Sequence, residues 1–313
     1  MIGRRLLWMI PMLAGSAVIV FMILRLVPGD PASAILGANA TTAQVAQVRI
    51  ELGLNEPIYV QFGAWVSGLL RGDFGHDYIT DQSITSEMAS RLPVTLELAA
   101  FAFVVAAVVA IPAGVVAAVR RDGWVDRAVQ SVSVLGIAVP DFVFGILGIL
   151  LFALTLGIAP SSGFIAMSTS VAGNLQSLIL PALSLAAGLA GVLTRVTRSA
   201  MLEVLEADYI RLARATGMGP WSVVFRYALR NAAVPIVTVA GMQVGYLLGG
   251  TVVAEQLFAL PGVGQLVVQA MLNRNYPVVQ ACVLVFVIGF ILVNLMSDLA
   301  YTVLNPKLRG AST

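Results

Sequence analysis

The sequence predicts an all-α integral membrane protein with six transmembrane helices and with both termini in the cytoplasm. Of the 313 residues, 59% are hydrophobic and 11% are charged, whereas about a quarter of a typical soluble domain is charged. A helix of about 20 apolar residues can cross a bilayer with its backbone polar groups satisfied internally. The apolar runs that predict such spans are residues 6–27, 96–119, 129–156, 178–193, 234–253 and 279–304.

The distribution of Lys and Arg predicts the orientation of these spans, because positively charged connections stay in the cytoplasm. With the N-terminus inside, 13 of the 18 basic residues fall in cytoplasmic segments. The other five, at positions 25, 49, 71, 91 and 274, fall on the outer side. The net charge of +2 is therefore a topology signal and does not indicate a nucleic-acid partner.

The first apolar run follows Arg4 and Arg5, as the core of a secretory signal peptide would. However, the run is longer than such a core, and it ends in the sequence PGDP at residues 28–31 without a small-residue cleavage site. We therefore predict an uncleaved transmembrane helix within residues 1–27.

Residues 28–95 are too long for a turn and predict an extracytoplasmic cap with helices of its own. Thr41 can cap a helix that Gly53 ends, Pro57 can begin a second helix, and residues 83–91 predict a third. The cap is either a folded loop that closes the outer face or a surface that receives a delivered ligand or protein. The remaining residues, 96–313, are predicted to form a five-helix transmembrane core.

Little in the sequence points to catalysis or to energy supplied by this chain itself. Its only lysine is Lys307, and it contains no P-loop. A single cysteine, Cys282, and a single histidine, His76, cannot make an intrachain disulfide or a Cys/His metal site. We predict no catalytic residue and no metal site.

Three carboxylates in or near the spans leave a proton relay open. They are Glu97 at the outer start of the second span, Asp141 after Pro140 in the third, and Asp298 in the last. Structural roles at an interface, at a kink or in an interhelical hydrogen bond are the alternative. Pro140 also predicts a kink in the third span.

The cytoplasmic loop at residues 195–231 carries six arginines and three carboxylates. At 100° per residue, one apolar stripe combines Leu202, Leu205, Tyr209, Leu212 and Thr216, which predicts an amphipathic helix. Gly217 can end it, and the Gly–Pro pair at 219–220 can begin a second helix. Two short helices at a sharp turn predict a docking site for another protein, although a helix lying on anionic lipid would show the same pattern.

At this point the residues resemble a known family. The sequence DYIRLARATGM at 208–218, followed by RNAAVP at 230–235, is similar to the coupling loop of permeases from binding-protein-dependent ABC importers, closest to the oligopeptide/dipeptide branch. Aligned on Gly217, the glutamate and the first alanine of the general motif fall at Arg211 and Leu212, and Ala213 matches the second alanine. Arginine at that position is typical of the peptide branch.

Further motifs resemble the first of the two permease subunits in peptide importers. They are PGDP at 28–31, LGL at 52–54, LRGDFG at 70–75, LPVTLEL at 92–98, VPDF at 139–142, LPGVG at 260–264 and NYPVVQ at 275–280. Together with the closing segment at 298–309 they extend the resemblance over essentially the whole chain.

The resemblance implies a type I ABC importer permease fold in the prokaryotic inner membrane. It implies as partners a second homologous permease, two ABC ATPase subunits, an extracytoplasmic solute-binding protein and membrane lipid. ATP and Mg²⁺ would bind to the ATPase subunits, with no cofactor on this chain. The substrate class would be di- or oligopeptides, although relatives in this branch also move nickel complexes, glutathione and some sugars.

The resemblance also assigns candidate site residues. Those for ATPase coupling are Leu205, Asp208, Tyr209, Arg211, Leu212, Ala213, Ala215 and Gly217. Those that would face the binding protein or act in gating are Pro28, Gly29, Asp30, Pro261 and Gly262. We expect apolar coupling residues to fill a cleft on the ATPase, and Ala213 and Gly217 to allow close approach. The alternatives are an ion-coupled carrier or channel that acts alone, and a lipid-surface scaffold.

Overall fold

The computed structural model describes residues 2–26, 30–36 and 40–304, and the described part is helical without a strand. Its helices, in chain order, are α1 Ile2–Leu26, α2 Pro31–Leu36, α3 Thr42–Glu51, α4 Ile58–Leu70, α5 Ile84–Val119, α6 Trp124–Ala138, α7 Asp141–Gly148, α8 Val171–Leu205, α9 Asp208–Ala215, α10 Pro220–Ser222, α11 Leu229–Phe258, α12 Val263–Leu272 and α13 Tyr276–Leu304. Wider π-helical turns extend α7 over Ile149–Thr155 and join α10 to α11 over Val223–Ala228.

Four helical runs among the described residues are long and apolar enough to cross a membrane. They are Ile84–Val119, Val171–Leu205, Pro220–Phe258 and Tyr276–Ser297. The pair formed by α6 and the extended α7 makes a fifth if it counts as one broken span. The apolar part of α1, Leu7–Met22, is shorter. A multi-pass helical membrane protein is thus confirmed, while the count of six spans and the cytoplasmic termini stay predictions.

The chain divides into two compact units. The first combines residues 1–96 with 261–289, and it contains the predicted cap. Thr41 caps α3 as predicted: its side chain accepts a bond from the Gln44 N–H at 3.3 Å, and the Gln44 side chain accepts one from the Thr41 N–H at 2.9 Å. This reciprocal pair is a capping box. Gly53 follows with a φ of +65°, and α4 begins directly after Pro57.

The prediction of a separate third cap helix at residues 83–91 is wrong. Instead α5 runs without interruption for 36 residues from Ile84 to Val119. It continues through Pro93 and through the boundary predicted between residues 95 and 96. Val94, Thr95 and Leu98 just beyond the proline are buried, and tertiary packing of this kind can offset the hydrogen bond that an interior proline removes.

A short helix in the same unit, α12, has no counterpart among the predicted elements. Gly262 precedes it, and its buried face includes Val263, Leu266 and Ala270. The Val263 N–H donates to Thr95 Oγ1 at 2.9 Å, so the start of α12 is fixed to α5. A window of about 20 residues misses it because α12 has only 10.

The second unit combines residues 97–260 with 290–313, and α8 packs in it against α6, α7 and α11. Small residues allow these helices to approach closely, as is common in membranes. A Cβ atom at Gly136 of α6 would lie 2.7 Å from the Ala187 carbonyl oxygen of α8. The glycine therefore brings the two helix backbones into direct contact.

The third predicted span is broken instead of kinked. Residues 129–156 were expected to form one helix bent at Pro140, but α6 ends at Ala138, α7 begins at Asp141 and their axes differ by 100°. Val139 has the extended angles φ −91° and ψ 126°. Proline disfavours the helical region for the residue before it, and here Val139 is extended, so α6 ends at Ala138.

Candidate functional site

The predicted coupling loop contains two short helices separated by a turn, but the continuous apolar stripe predicted for it is wrong. The transmembrane helix α8 extends to Leu205, beyond its predicted end at residue 193 and into the loop. The helix is then interrupted at Glu206 and Ala207 before α9 begins. Leu202 and Leu205 therefore lie on a different helix from Tyr209 and Leu212. We refer to residues 208–228, which form α9, α10 and the π-helical turn, as the knob.

The helix α9 has one face buried on its own chain and one face exposed. Ile210 and Ala213 are buried against Val223 of the π-helical turn. On the other side the exposed fractions of Tyr209 and Leu212 are 47% and 66%. Ala213 thus has a structural role within the knob, contrary to the expectation that it allows a partner to approach closely.

Gly217 ends α9 as predicted, but for a conformational reason. Its φ is +82°, a left-handed value that glycine adopts without strain. The Met218 N–H donates to the Ala213 carbonyl at 3.2 Å, and the Gly217 N–H donates to the Arg214 carbonyl at 3.1 Å. This pair of bonds is a Schellman motif. A Cβ atom at Gly217 would meet no atom within 4 Å, so nothing within the described chain crowds this glycine.

The second half of the knob exposes an aromatic pair that the sequence patterns did not single out. Pro220 begins α10 as predicted, after Gly219. Trp221, with 73% of its surface exposed, stacks on Phe225 with ring centroids 5.7 Å apart. The stack joins residues four apart, a spacing that could have been read from the sequence as a helical pair.

The remaining coupling candidates are polar or small and lie at the surface. Asp208 and Arg211 form an exposed ion pair at 3.4 Å, one turn apart on α9. Such a pair contributes little to stability because water screens it. Ala215, the last residue of α9, is also exposed. Arg211 thus has a partner within its own helix.

Two ion pairs hold the region next to the knob. Arg198 on α8 contacts Asp126 on α6 through two bonds, from Nε to Oδ1 at 2.6 Å and from Nη2 to Oδ2 at 2.7 Å. The Asp122 N–H also donates to Asp126 Oδ2 at 3.0 Å. A second pair joins Arg121 to Glu206, in the turn before α9. The sequence pattern predicted how many charges lie in this region but not which of them would pair.

The candidates for the outer face have local structural roles where the structure describes them. Pro28 and Gly29 lie outside the described residues. Asp30 Oδ2 accepts a bond from Ser33 Oγ at 3.1 Å, across the start of α2. Pro261 is exposed, whereas Gly262 is buried at the start of α12. A role of these residues toward a binding protein stays a prediction.

The membrane carboxylates have different environments. Glu97 Oε1 is buried and has no hydrogen-bond partner in the described part of the chain. Asp141 lines a cavity of about 480 Å³ in the second unit. The side chain of Asp298 lies outside the described residues. A fourth carboxylate, Glu255 on α11, is fully buried and was not among the predicted candidates, although it stands in the chain two residues after the predicted fifth span.

The fold and the sequence together define a class, that of multi-pass permeases of the inner membrane. The model of the family "Binding-protein-dependent transport system inner membrane component" matches residues 110–310, and the model of its N-terminal part matches residues 1–99. The chain belongs to this family, and the resemblance predicted from its motifs is confirmed.

Curated relatives align over nearly the entire chain. A protein of Brucella abortus (strain 2308) named as a peptide transport system permease is 44% identical and covers 99% of this chain and 98% of its own. A protein of Sinorhizobium fredii named as a peptide ABC transporter permease is 43% identical, with 98% of each chain covered. The glutathione transport system permease of Salmonella choleraesuis is 42% identical and covers 98% of this chain and 97% of its own.

Solved structures support the predicted permease fold. The MetNI methionine ABC transporter in inward-facing conformations has a chain that matches with a TM-score of 0.59 and 20% identity. The match covers 70% of this chain and 96% of that chain. At this level of identity the likeness concerns the fold alone.

Proposed function

We propose that this chain is one of two permease subunits of an ATP-driven importer of di- or oligopeptides, and that the knob couples it to a separate ATPase. Membership of the family supports the transport role. The names of the relatives from Brucella and Sinorhizobium support peptides as the substrate class. The Salmonella relative is named for glutathione, which is itself a tripeptide.

The observation that carries the coupling role is the exposed side of α9. Tyr209 and Leu212 are exposed while the opposite face of the same helix is buried in its own chain. Large apolar side chains that a rigid element presents together indicate an interaction site. The loop as a whole carries six arginines and three carboxylates, a charge that would also suit anionic lipid, so the exposed apolar side chains, and not the charge, support a protein as the partner.

The proposal assigns a place to the other parts of the complex. Two ABC ATPase subunits would bind ATP and Mg²⁺, because this sequence has no P-loop. A second, homologous permease would complete the pathway, and all six predicted helices would cross the membrane with both termini in the cytoplasm. The cap at residues 28–95, with Pro28, Gly29 and Asp30, would face the solute-binding protein together with Pro261 and Gly262.

Replacement of Leu212 by aspartate tests the coupling role. Because the Leu212 side chain is 66% exposed, the Leu212→Asp change should leave the fold intact but introduce a charge into an apolar contact. We expect ATP-driven peptide uptake by the reconstituted complex to fall at least about tenfold, since burying an unpaired charge at an interface costs more than about 1.4 kcal/mol. The measurement is uptake into proteoliposomes, with ATP hydrolysis followed in parallel.

Leu212→Met is the matched control, because it keeps an apolar side chain of similar volume and should retain uptake. If the Leu212→Asp complex took up as much peptide for each ATP hydrolysed as the wild-type complex, the knob would not be the coupling site. The alternative is an ion-coupled carrier in which Glu97 and Asp141 would take part in a proton relay. Uptake by this subunit alone, driven by an ion gradient and without ATP, would support that alternative.

A further inference from the structure

We infer that Asp141 is a binding site for the ammonium group of the transported peptide, at mid-depth in the translocation pathway. This inference rests on the function proposed above. It concerns a carboxylate that the coupling mechanism does not use, and it follows from the depth of Asp141, its lack of a partner and the cavity that it lines.

The depth of Asp141 is fixed by its contacts with two other helices. A Cβ atom at Gly188 would lie 3.0 Å from Asp141 Oδ1, and one at Gly250 would lie 3.8 Å from Oδ2. Gly188 is the middle residue of the 35-residue helix α8. Both glycines also fall within the spans predicted at 178–193 and 234–253. The carboxylate therefore lies within the predicted membrane region and away from both ends of α8.

Asp141 has no partner there among the residues that the structure describes. No hydrogen bond and no ion pair reaches its carboxylate from the described residues, although Asp141 is partly buried. An ionisable side chain in a transmembrane segment is costly, and it usually faces a bundle interior or an aqueous pathway where a partner is available. The first turn of α7 favours a negative charge at this position, but it supplies no hydrogen bond that would explain the aspartate as a cap.

The cavity beside Asp141 offers space for a ligand. Its volume is about 480 Å³, which lies in the range of small-molecule sites. Polar groups come from Asp141, Gln243 and Tyr246, and the walls are apolar, with Ile137, Leu185 and Leu189 among them. One carboxylate within a mostly neutral wall can bind a single positive charge and tolerate varied side chains around it.

Tyr246 indicates that this side of α11 does not simply face lipid. It is 81% exposed and lies 12 residues, or about 18 Å along the helix, before the end of α11. Tyrosines in contact with lipid gather at the membrane interface, where the hydroxyl group meets water. A tyrosine at this depth that lines the same cavity as a carboxylate and an amide is better explained by a pathway that carries a polar solute.

The solute chemistry follows from the sign and number of these groups. A single unpaired carboxylate selects a cation, and a primary ammonium can donate to it in a charge-assisted hydrogen bond. Every unmodified peptide carries one such group at its N-terminus, whereas its side chains vary. We therefore assign the terminal α-ammonium, and not a lysine side chain, as the group that Asp141 binds.

The test compares initial uptake rates of three peptides by the complete importer in proteoliposomes, with its own binding protein at saturation. The peptides are trialanine, N-acetyl-trialanine and N-acetyl-Ala-Lys-Ala. The same binding protein serves every permease variant, so its own preference cancels when variants are compared. We expect Asp141→Asn to lower trialanine uptake about tenfold, as the loss of a charge-assisted bond predicts, and to change uptake of both acetylated peptides less than twofold.

Two further variants separate a binding role from a structural one. Asp141→Glu keeps the charge and should restore most of the trialanine uptake. Asp122→Asn makes the same isosteric change at an exposed cytoplasmic carboxylate and should change uptake of none of the peptides.

Several results would overturn the inference. An unchanged trialanine rate in Asp141→Asn would do so, and an equal loss for all three peptides would show a structural or proton-transfer role. A loss confined to the lysine peptide would assign the site to side-chain ammonium groups instead. Failure of the wild-type complex to import any peptide with ATP would instead contradict the proposed function, and this inference with it.

Discussion

The two-bond ion pair between Asp126 and Arg198 shows how single residues position the knob. It joins α6 to α8, and only 5% of the aspartate side chain and 18% of the arginine side chain are exposed. A charge in such a place is stable only while its partner is present. The pair therefore fixes the C-terminal part of α8 close to the point where the chain turns into α9.

Removing only Asp126 should lower the free energy of unfolding more than removing both Asp126 and Arg198. We expect Asp126→Asn to lower the free energy of unfolding by about 3 kcal/mol, because Arg198 is left without its carboxylate. The double variant Asp126→Asn with Arg198→Leu should lose less, since no unpaired charge remains. Thermal unfolding of the purified protein in detergent compares the two, and a double variant less stable than the single one would contradict this account.

At the level of residues, the sequence predicted where a helix ends better than it predicted which side chains face a partner. Gly217 was expected to end a helix, and it does, because only a residue with free access to positive φ completes the Schellman motif there. Ala213 was expected to face a partner, yet it packs against Val223. The periodicity of an eight-residue helix identifies two faces but does not tell which of them the rest of the chain covers.

At the level of elements, the break between α6 and α7 has the largest consequence. The bend of 100° turns α7 away from the direction of α6, and it places Asp141 at the first turn of α7. The extended backbone of Val139 forms the corner. This is the conformation that a following proline favours, so we expect the position of Asp141 to depend on Pro140.

Replacement of Pro140 by alanine should let the two helices join. In Pro140→Ala we expect spin labels at the exposed positions Val132 and Leu147 to move apart, toward about 22 Å for a continuous helix, and peptide uptake to fall. Pulsed electron paramagnetic resonance measures the separation. Pro181→Ala is the control, because Pro181 lies inside the uninterrupted helix α8. An unchanged distance would show that packing of α7 on α8 fixes the bend.

Hydropathy predicted where helices lie but not all of their ends. The second span was expected to begin at residue 96, whereas α5 begins at Ile84. The fourth span was expected over residues 178–193, whereas α8 covers Val171–Leu205. A helix can continue into water when its polar residues are solvated and its apolar residues pack, and neither event changes the hydropathy of the span. Long-range contacts, such as the bond from Val263 to Thr95, are also invisible in a local pattern.

At the level of the whole molecule, orientation in the membrane is the main prediction still to be tested. Single cysteines at Thr80 and Ser161 should react with a membrane-impermeant maleimide in intact cells. Cysteines at Arg121 and Leu212 should react only after the inner membrane is permeabilised. The native Cys282 is buried and gives a low background. Labelling of position 212 from outside would reverse the predicted topology.

The helical run Pro220–Phe258 makes the knob and a membrane span into one continuous rod. It contains 39 residues, and Trp221 and Tyr246 lie on the same rod. Tyr246 is 26 residues from Pro220, about 39 Å along a helix. A tilt of about 5° about the Pro220 end would therefore shift the Tyr246 backbone sideways by about 3 Å. Such a lever would convert a small rotation at an ATPase into a change of cavity width comparable to the diameter of a water molecule.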